Sequence, residues 1–469
     1  MSTVLQKKKV GKMSATGKLA SFICNADYNQ LPREAIQRAK SCVLDGLGVI
    51  LAGTRHPTSK LVLDYARNVG GKAEATAIGS GYKTSLPLAA LINGTMGHVL
   101  DFDDTNSEAR GHLTTVLLPT LLAVGEKIKA PGKNLLAAYV LGFEAACKIG
   151  RAVNPEHYMR GYHATSSIGI FGATTAAGKL LGLSPLELAH AYGIAASRSC
   201  GLRSNFGTMT KSLHAGLAAH DAIMAVFLAQ GGYTSNPRIL ETEGGFGQVM
   251  GREADFEKSF QDLGDPLSII SSGVVVKLYP SGALIHPAVD AVLGLMRENH
   301  ILPEKIAGIR CGTNADLFKI LIHPRPKNGL EGKFSIPYCL ARACLDGKLG
   351  IEDFEDEKVL EPRVQNFMER VVHYAEPEID PPDQTFRAAA KVTIELADGQ
   401  IFVKKVEKAK GSPDYPLSYE ELAGKFRVCA QGVIPDDHIG QTIQVVDAME
   451  NVSDITKILG LLIADSPSS

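Results

Sequence analysis

The chain has 469 residues, 45% hydrophobic and 21% charged, and its 49 Lys+Arg against 50 Asp+Glu leave a net charge of −1. That much apolar surface excludes disorder of the whole chain, and the balanced charge gives no footprint for nucleic acid or an anionic membrane. The length predicts two or three domains, or one large and one small, while 47 Gly, 6% aromatics and no Trp predict closely packed helices rather than aromatic platforms.

In chain order, residues 1–12 are basic through Lys alone and have no apolar stretch, so they read as neither a secretory signal nor an Arg-rich presequence. No run reaches the ~18 apolar residues of a membrane span, and the expectation is a cytoplasmic protein. After Pro32, apolar residues from Ala35 to Leu51 recur at helical spacing, with Gly53 as the expected C′ stop. Segments 87–100, 113–129, 134–150, 164–181 and 212–230 have the same period, and Ser184-Pro185-Leu186-Glu187 is a capping box opening another helix. The 165–183 stretch, rich in Gly, Ala, Ser and Thr, predicts a thin helix buried between others. Gly79-Ser80-Gly81-Tyr82-Lys83-Thr84 lacks phosphate-loop spacing and reads as a turn.

Near Asp265 the pattern changes. The β-branched run in 267–277 predicts a strand, 305–313 another, and 391–396 with 401–406 a hairpin around a type I′ turn at Asp398-Gly399. Helices are expected at 287–299, 335–346 and 358–374. A second capping box, Ser418 with Glu421, starts a helical end with segments 437–450 and 453–464. The predicted architecture is mainly α: a large helical domain from 13–266 and 412–469, with an α+β domain, 267–411, inserted. The eight cysteines form no CxxC pair and read as reduced core residues. No HExxH, GxSxG or dinucleotide loop is present, and no histidine spacing favours a metal.

Four clusters carry chemistry. Asp101, Asp103, Asp104 and Thr105, followed by Arg110 and His112, lie where a helix ends; acids there oppose the helix dipole, a local conflict of the kind that marks function. His163 precedes the Gly/Ala-rich helix, where a cationic imidazole is disfavoured and a neutral one suits a base. Lys211 heads an apolar helix, a misplaced cation unless it faces an anion. Lys277, Tyr279, Ser281 and His286 share one corner before a helix. Lysines, histidines, an Asp and a Thr, with no thiol nucleophile, suit a di- or tricarboxylate whose α-proton is moved while fixed cations stabilise the resulting dianion.

The strings LDFDDT at 100–105, GYHATSSIGIFGATTAAGKLLGL at 161–183, FGTMTKSLHAGLAA at 206–219, KLYPSGALIHPAVDA at 277–291 and KFSIPYCLA at 333–341 resemble, in order, those of the MmgE/PrpD family, which includes 2-methylcitrate dehydratases, cis-aconitate decarboxylases and an iminodisuccinate epimerase. The resemblance spans about 16–465. It implies a helical domain with an α+β lid, a homodimer, no organic cofactor and no metal, and an interdomain site. It places the family's active-site groups on Asp101, Thr105, His112, His163, Lys211 and Lys277; Tyr279, Ser281 and His286, in the lid turn where branches differ, are second-rank candidates for substrate binding. The sequence departs from the animal aconitate decarboxylases in having Gly282, where they carry a His five residues after the lid Lys. NFGTMTK at 205–211 and GIFGATTAA at 169–177 resemble the iminodisuccinate epimerase branch. The expected activity is a cofactor-independent lyase or isomerase on a small polycarboxylate. The alternatives are a cis-aconitate decarboxylase-like enzyme and a non-catalytic carboxylate-binding protein.

Overall fold

The computed structural model describes residues 13–379 and 388–464; the basic segment 1–12 lies outside them. Helices dominate. Among the described residues there are two large apolar cores, one from residues of 15–269 together with 422–462, the other from 285–396 joined by Phe206, and a small third cluster around Leu100.

The first core is built on close helix crossings. Helix Leu86–His98 lies against Thr210–Gln230. A Cβ added to Gly94 would sit 2.9 Å from Gly216 Cα, and one on Gly216 would sit 2.3 Å from Leu91 O. Gly142 and Gly172 form a second such crossing between Gly132–Val153 and Gly169–Leu181. In the latter helix Gly169 to Gly178 are all buried, as its small side chains predict. Helix Arg33–Gly53 runs through Gly53 rather than stopping before it: a Cβ there would lie 2.0 Å from Met96 O, so the glycine serves approach, not capping. Both capping boxes form, Ser184 with Glu187 and Ser418 with Glu421. Thr210–Gln230 is long and apolar enough to cross a membrane by composition, which the sequence reading did not register, but 67% of that window is buried in this core.

The second core covers a four-stranded sheet in the order Val371–Ala375, Ile306–Thr313, Ala390–Leu396, Ile401–Val406, with the first pair parallel and the others antiparallel. Helices His286–Glu298 and Ile336–Asp346 pack on it.

Several elements differ from expectation. The 267–277 run is a short helix, Ser268–Ser271, and then extended chain held to Thr105 by a lone bridge at Val275; β-branching cannot make a strand where no ladder partner lies alongside. The predicted 358–374 helix breaks at Pro362, ends at Met368 and gives way to strand. The hairpin turn has positive φ at Gly399 alone, so it is not type I′, which needs it at both central residues. The helix expected over 453–464 shortens to Thr456–Gly460. Of the cysteines, Cys200 is exposed and Cys24 half-buried; the other six are buried.

Candidate active site

Past His98, Val99, Leu100 and Phe102 pack with Val49, Ala52 and Cys429, while Asp101 and Asp103 are held by lysines and histidines. Asp101 adopts φ +51°, a left-handed conformation that costs an L-residue about 1–2 kcal/mol and that Asp tolerates better than most. Three buried lysines fix this stretch by donating to three successive carbonyls: Lys333 to Leu100 O, Lys277 to Asp101 O and Lys425 to Phe102 O, each at 2.8 Å.

Asp101 is the centre of the polar cluster. Its Oδ1 accepts from Lys211 Nζ at 2.9 Å and Lys277 Nζ at 2.8 Å, with His112 Nε2 at 3.8 Å. Its Oδ2 is buried without a hydrogen-bond partner. The cation at the head of the apolar helix therefore does face an anion. Lys211 also donates to His98 Nε2 at 3.1 Å. That leaves the Nδ1 proton of His98 for Asp103 Oδ2 at 2.8 Å, while His112 Nδ1 lies 3.1 Å from the same oxygen. An ammonium has three N–H groups. Lys211 commits two, to Asp101 and His98; Lys277 commits two, to the carbonyl and carboxylate of Asp101. Among the described residues, one N–H of each remains uncommitted.

Burial favours the uncharged form of every group here, and near charges decide which groups resist. Burial raises Asp101, but Lys211, Lys277 and the histidines outweigh it and hold the carboxyl well below its ordinary range. Asp103 is held low in the same way by His112 and His98. Among the described residues no cation pairs with Asp104; burial lifts it to about 7 despite its bonds from Thr114. Burial pushes His98 down to about 3, His286 to about 3 and His163 well below its usual value. Burial also lowers Lys277 against the pull of Asp101, and takes Lys333 down to about 7.

A cavity of about 830 Å³ opens between the two cores, within the size range of small-molecule sites. Asp101, Thr105, His112, His163, Lys211 and Lys277 all line it, as does His286, whose Nε2 is buried and unpartnered. Gly111 lets the His112 loop lie against the start of the His163 helix, where a Cβ would come 2.8 Å from Thr165 N. Tyr279 and Ser281 do not line the cavity: the Tyr279 hydroxyl donates to Asp290 at 2.7 Å, and Ser281 is fully buried. Gly282 does line it, and a Cβ there would meet nothing nearer than 3.6 Å.

Sequence reasoning missed His98 and Lys333. His98 sits in an apolar, small-residue helix and shows its role only through contacts; Lys333 stood inside the KFSIPYCLA string, where a charge before an apolar helix was the available signal. His98, Asp101, Asp103 and His112 offer ligand atoms within 4.8 Å of one another, a set able to hold a metal ion. The two ammoniums on Asp101 Oδ1 already supply positive charge at that point.

The family model for the MmgE/PrpD N-terminal domain matches residues 17–259, and that for the C-terminal domain matches 279–451. A cis-aconitate decarboxylase of Aspergillus terreus is 27% identical over 480 residues, covering 96% of each chain. The cis-aconitate decarboxylase of Mus musculus is 28% identical, over 96% of this chain and 93% of its own. A 2-methylcitrate dehydratase of Salmonella typhimurium is 26% identical, over 86% of this chain and 85% of its own.

Proposed function

From the premise that this chain belongs to the MmgE/PrpD family and is a lyase of its type, we propose that it acts on a small di- or tricarboxylate by moving a proton on the carbon next to a carboxylate. The observation that carries this is the pair of buried ammoniums, each with one N–H uncommitted, bordering the same cavity as an imidazole with an unpartnered Nε2. Substrate carboxylates take the free N–H groups of Lys211 and Lys277. His163, neutral and with Nε2 bare, is the base; Asp101, held ionised by two cations, is too acidic for that part. Its unpartnered Oδ2 receives a substrate hydroxyl or N–H, with Thr105 and His112 beside it. Breaking the C–H bond leaves an aci-carboxylate dianion, and preorganised cations in a water-poor site stabilise that charge where it develops. From it a β-hydroxyl leaves, giving dehydration, or a proton returns to the other face, giving epimerisation.

A second reading, decarboxylation of a cis-aconitate-like acid, is favoured by the names of the decarboxylase relatives. The open space at Gly282 means that any group delivered to that corner comes from elsewhere, and His286 is the imidazole that borders it.

Incubation in D2O with citrate, 2-methylcitrate, cis-aconitate and iminodisuccinate, followed by NMR, tests the proposal. Deuterium at an α-carbon or a dehydrated product is expected. Release of CO2 with an unsaturated dicarboxylate selects the second reading, and neither exchange nor product from any acid overturns both.

A further inference from the structure

We propose that His214 is the positioning partner of His163, a residue that lines the cavity, holding it in the tautomer with a bare Nε2; this rests on the proton-transfer reading above. The two Nδ1 atoms lie 3.0 Å apart in a buried contact. Two ring nitrogens at that distance form a hydrogen bond only when one carries a proton and the other does not. The neutral pair therefore has two arrangements. If His163 donates, its Nε2 is a free base; if it accepts, its Nε2 carries the proton and cannot take another.

The charges around the ring choose between them. His163 Nε2 has no partner, and the ring lines the cavity that holds the Lys211 and Lys277 ammoniums. A positive surrounding favours a lone pair over an N–H at that atom, so the Nδ1–H points to His214. Both rings are kept uncharged, since burial takes His214 down to about 4 and His163 well below its ordinary value.

The fold holds the pair in register. His214 lies one turn beyond Lys211 on the helix Thr210–Gln230, so a single element delivers the ammonium and the imidazole that orients the base. Gly201, at φ +132°, passes against both rings: its carbonyl accepts the His163 backbone N–H at 2.9 Å, and a Cβ on it would lie 3.4 Å from His163 Cβ and 3.5 Å from His214 Cγ. Phe206 meets the His163 ring edge-on, with centroids 4.9 Å apart. In the reaction the substrate C–H bond breaks, its electron pair stays on the substrate, and the proton goes to His163 Nε2. The imidazolium keeps its Nδ1–H on His214, a neutral acceptor, and returning the Nε2 proton restores the resting pair.

The test uses the full chain labelled with [15N]histidine, with His163→Phe identifying the His163 resonances. The variants are His214→Phe, which has no acceptor, and His214→Asn, whose amide oxygen reaches roughly the place of Nδ1. In the wild type, His163 is expected to show a protonated Nδ1 and a bare Nε2. His214→Phe should lose that state and lower kcat at least about tenfold, with KM within about threefold, for whichever of citrate, 2-methylcitrate, cis-aconitate and iminodisuccinate is turned over. His214→Asn should keep the tautomer and most of kcat. A wild-type proton on His163 Nε2, an unchanged tautomer in His214→Phe, or equal kcat losses in the two variants overturns the proposal. Failure of the wild type on all four acids would instead sink the proton-transfer reading, and the resonances still decide the pairing.

Discussion

Asp101, Asp103 and Asp104 are near neighbours in the chain and differ because different donors reach them. Two lysines hold Asp101 ionised and two histidines hold Asp103, but Asp104 has the neutral side chains of Thr114, whose hydroxyl also contacts Tyr139, and Cys42 for its partners. Its carboxyl keeps its proton to about pH 7, whereas the unfolded chain releases it near 3.8. Between those values the native state binds more protons than the unfolded state, so this group's contribution to stability falls as pH rises through the window. Asp104→Asn is expected to flatten that dependence: relative to wild type it gains on the order of a few kcal/mol by pH 8, read by chemical denaturation at pH 5 and pH 8. An equal slope in both proteins would show that Asp104 is ionised throughout. The acid cluster at a helix end was legible in the sequence as a conflict with the dipole. The separate fates of its members were not, because each depends on which side chains the fold brings to it: Lys211 and Lys277 to Asp101, His98 and His112 to Asp103, Thr114 to Asp104. His98 was illegible because its bond to Lys211 exists only after two helices meet, and its bond to Asp103 only once the chain has turned past the helix end.

Those helices meet through missing side chains. Gly94 and Gly216 bring Leu86–His98 onto Thr210–Gln230, and this approach sets the 3.1 Å contact between His98 and Lys211. Gly216→Ala places a Cβ 2.3 Å from Leu91 O and 2.4 Å from Thr95 Oγ1. It should cost at least about 1–3 kcal/mol in overpacking and lower kcat by parting the helices that carry His98 and Lys211. Gly440→Ala, in a helix where a Cβ meets nothing within 4 Å, should be neutral or stabilise by up to about 1 kcal/mol. Thermal melts of the pair check this, and equal melting temperatures would contradict the close-packing argument. Helices were readable from period and caps because both signals are local. The 267–277 and 358–374 segments misled because their outcome turns on partners: Val275 finds only Thr105, while Val371–Ala375 is drawn into pairing with Ile306–Thr313.

At the scale of the molecule, one loop joins the two cores. Lys333 from the second core, Lys277 from the segment that links the two and Lys425 from the first bind the successive carbonyls of Leu100, Asp101 and Phe102. Lys425 is itself paired with Asp45 at 2.6 Å, and Lys333 also reaches Pro280 O at 3.2 Å. Breaking such buried contacts leaves uncompensated charge, so the joint resists opening at the point where the cavity forms. If Lys211 and Lys277 hold a polycarboxylate in that cavity, calorimetric titration with tricarballylate, a tricarboxylate with no hydroxyl to lose, will show saturable binding to the wild type, weakened at least about tenfold in both Lys211→Met and Lys277→Met, as loss of a charge-assisted contact requires. Binding of equal strength in all three proteins would contradict it.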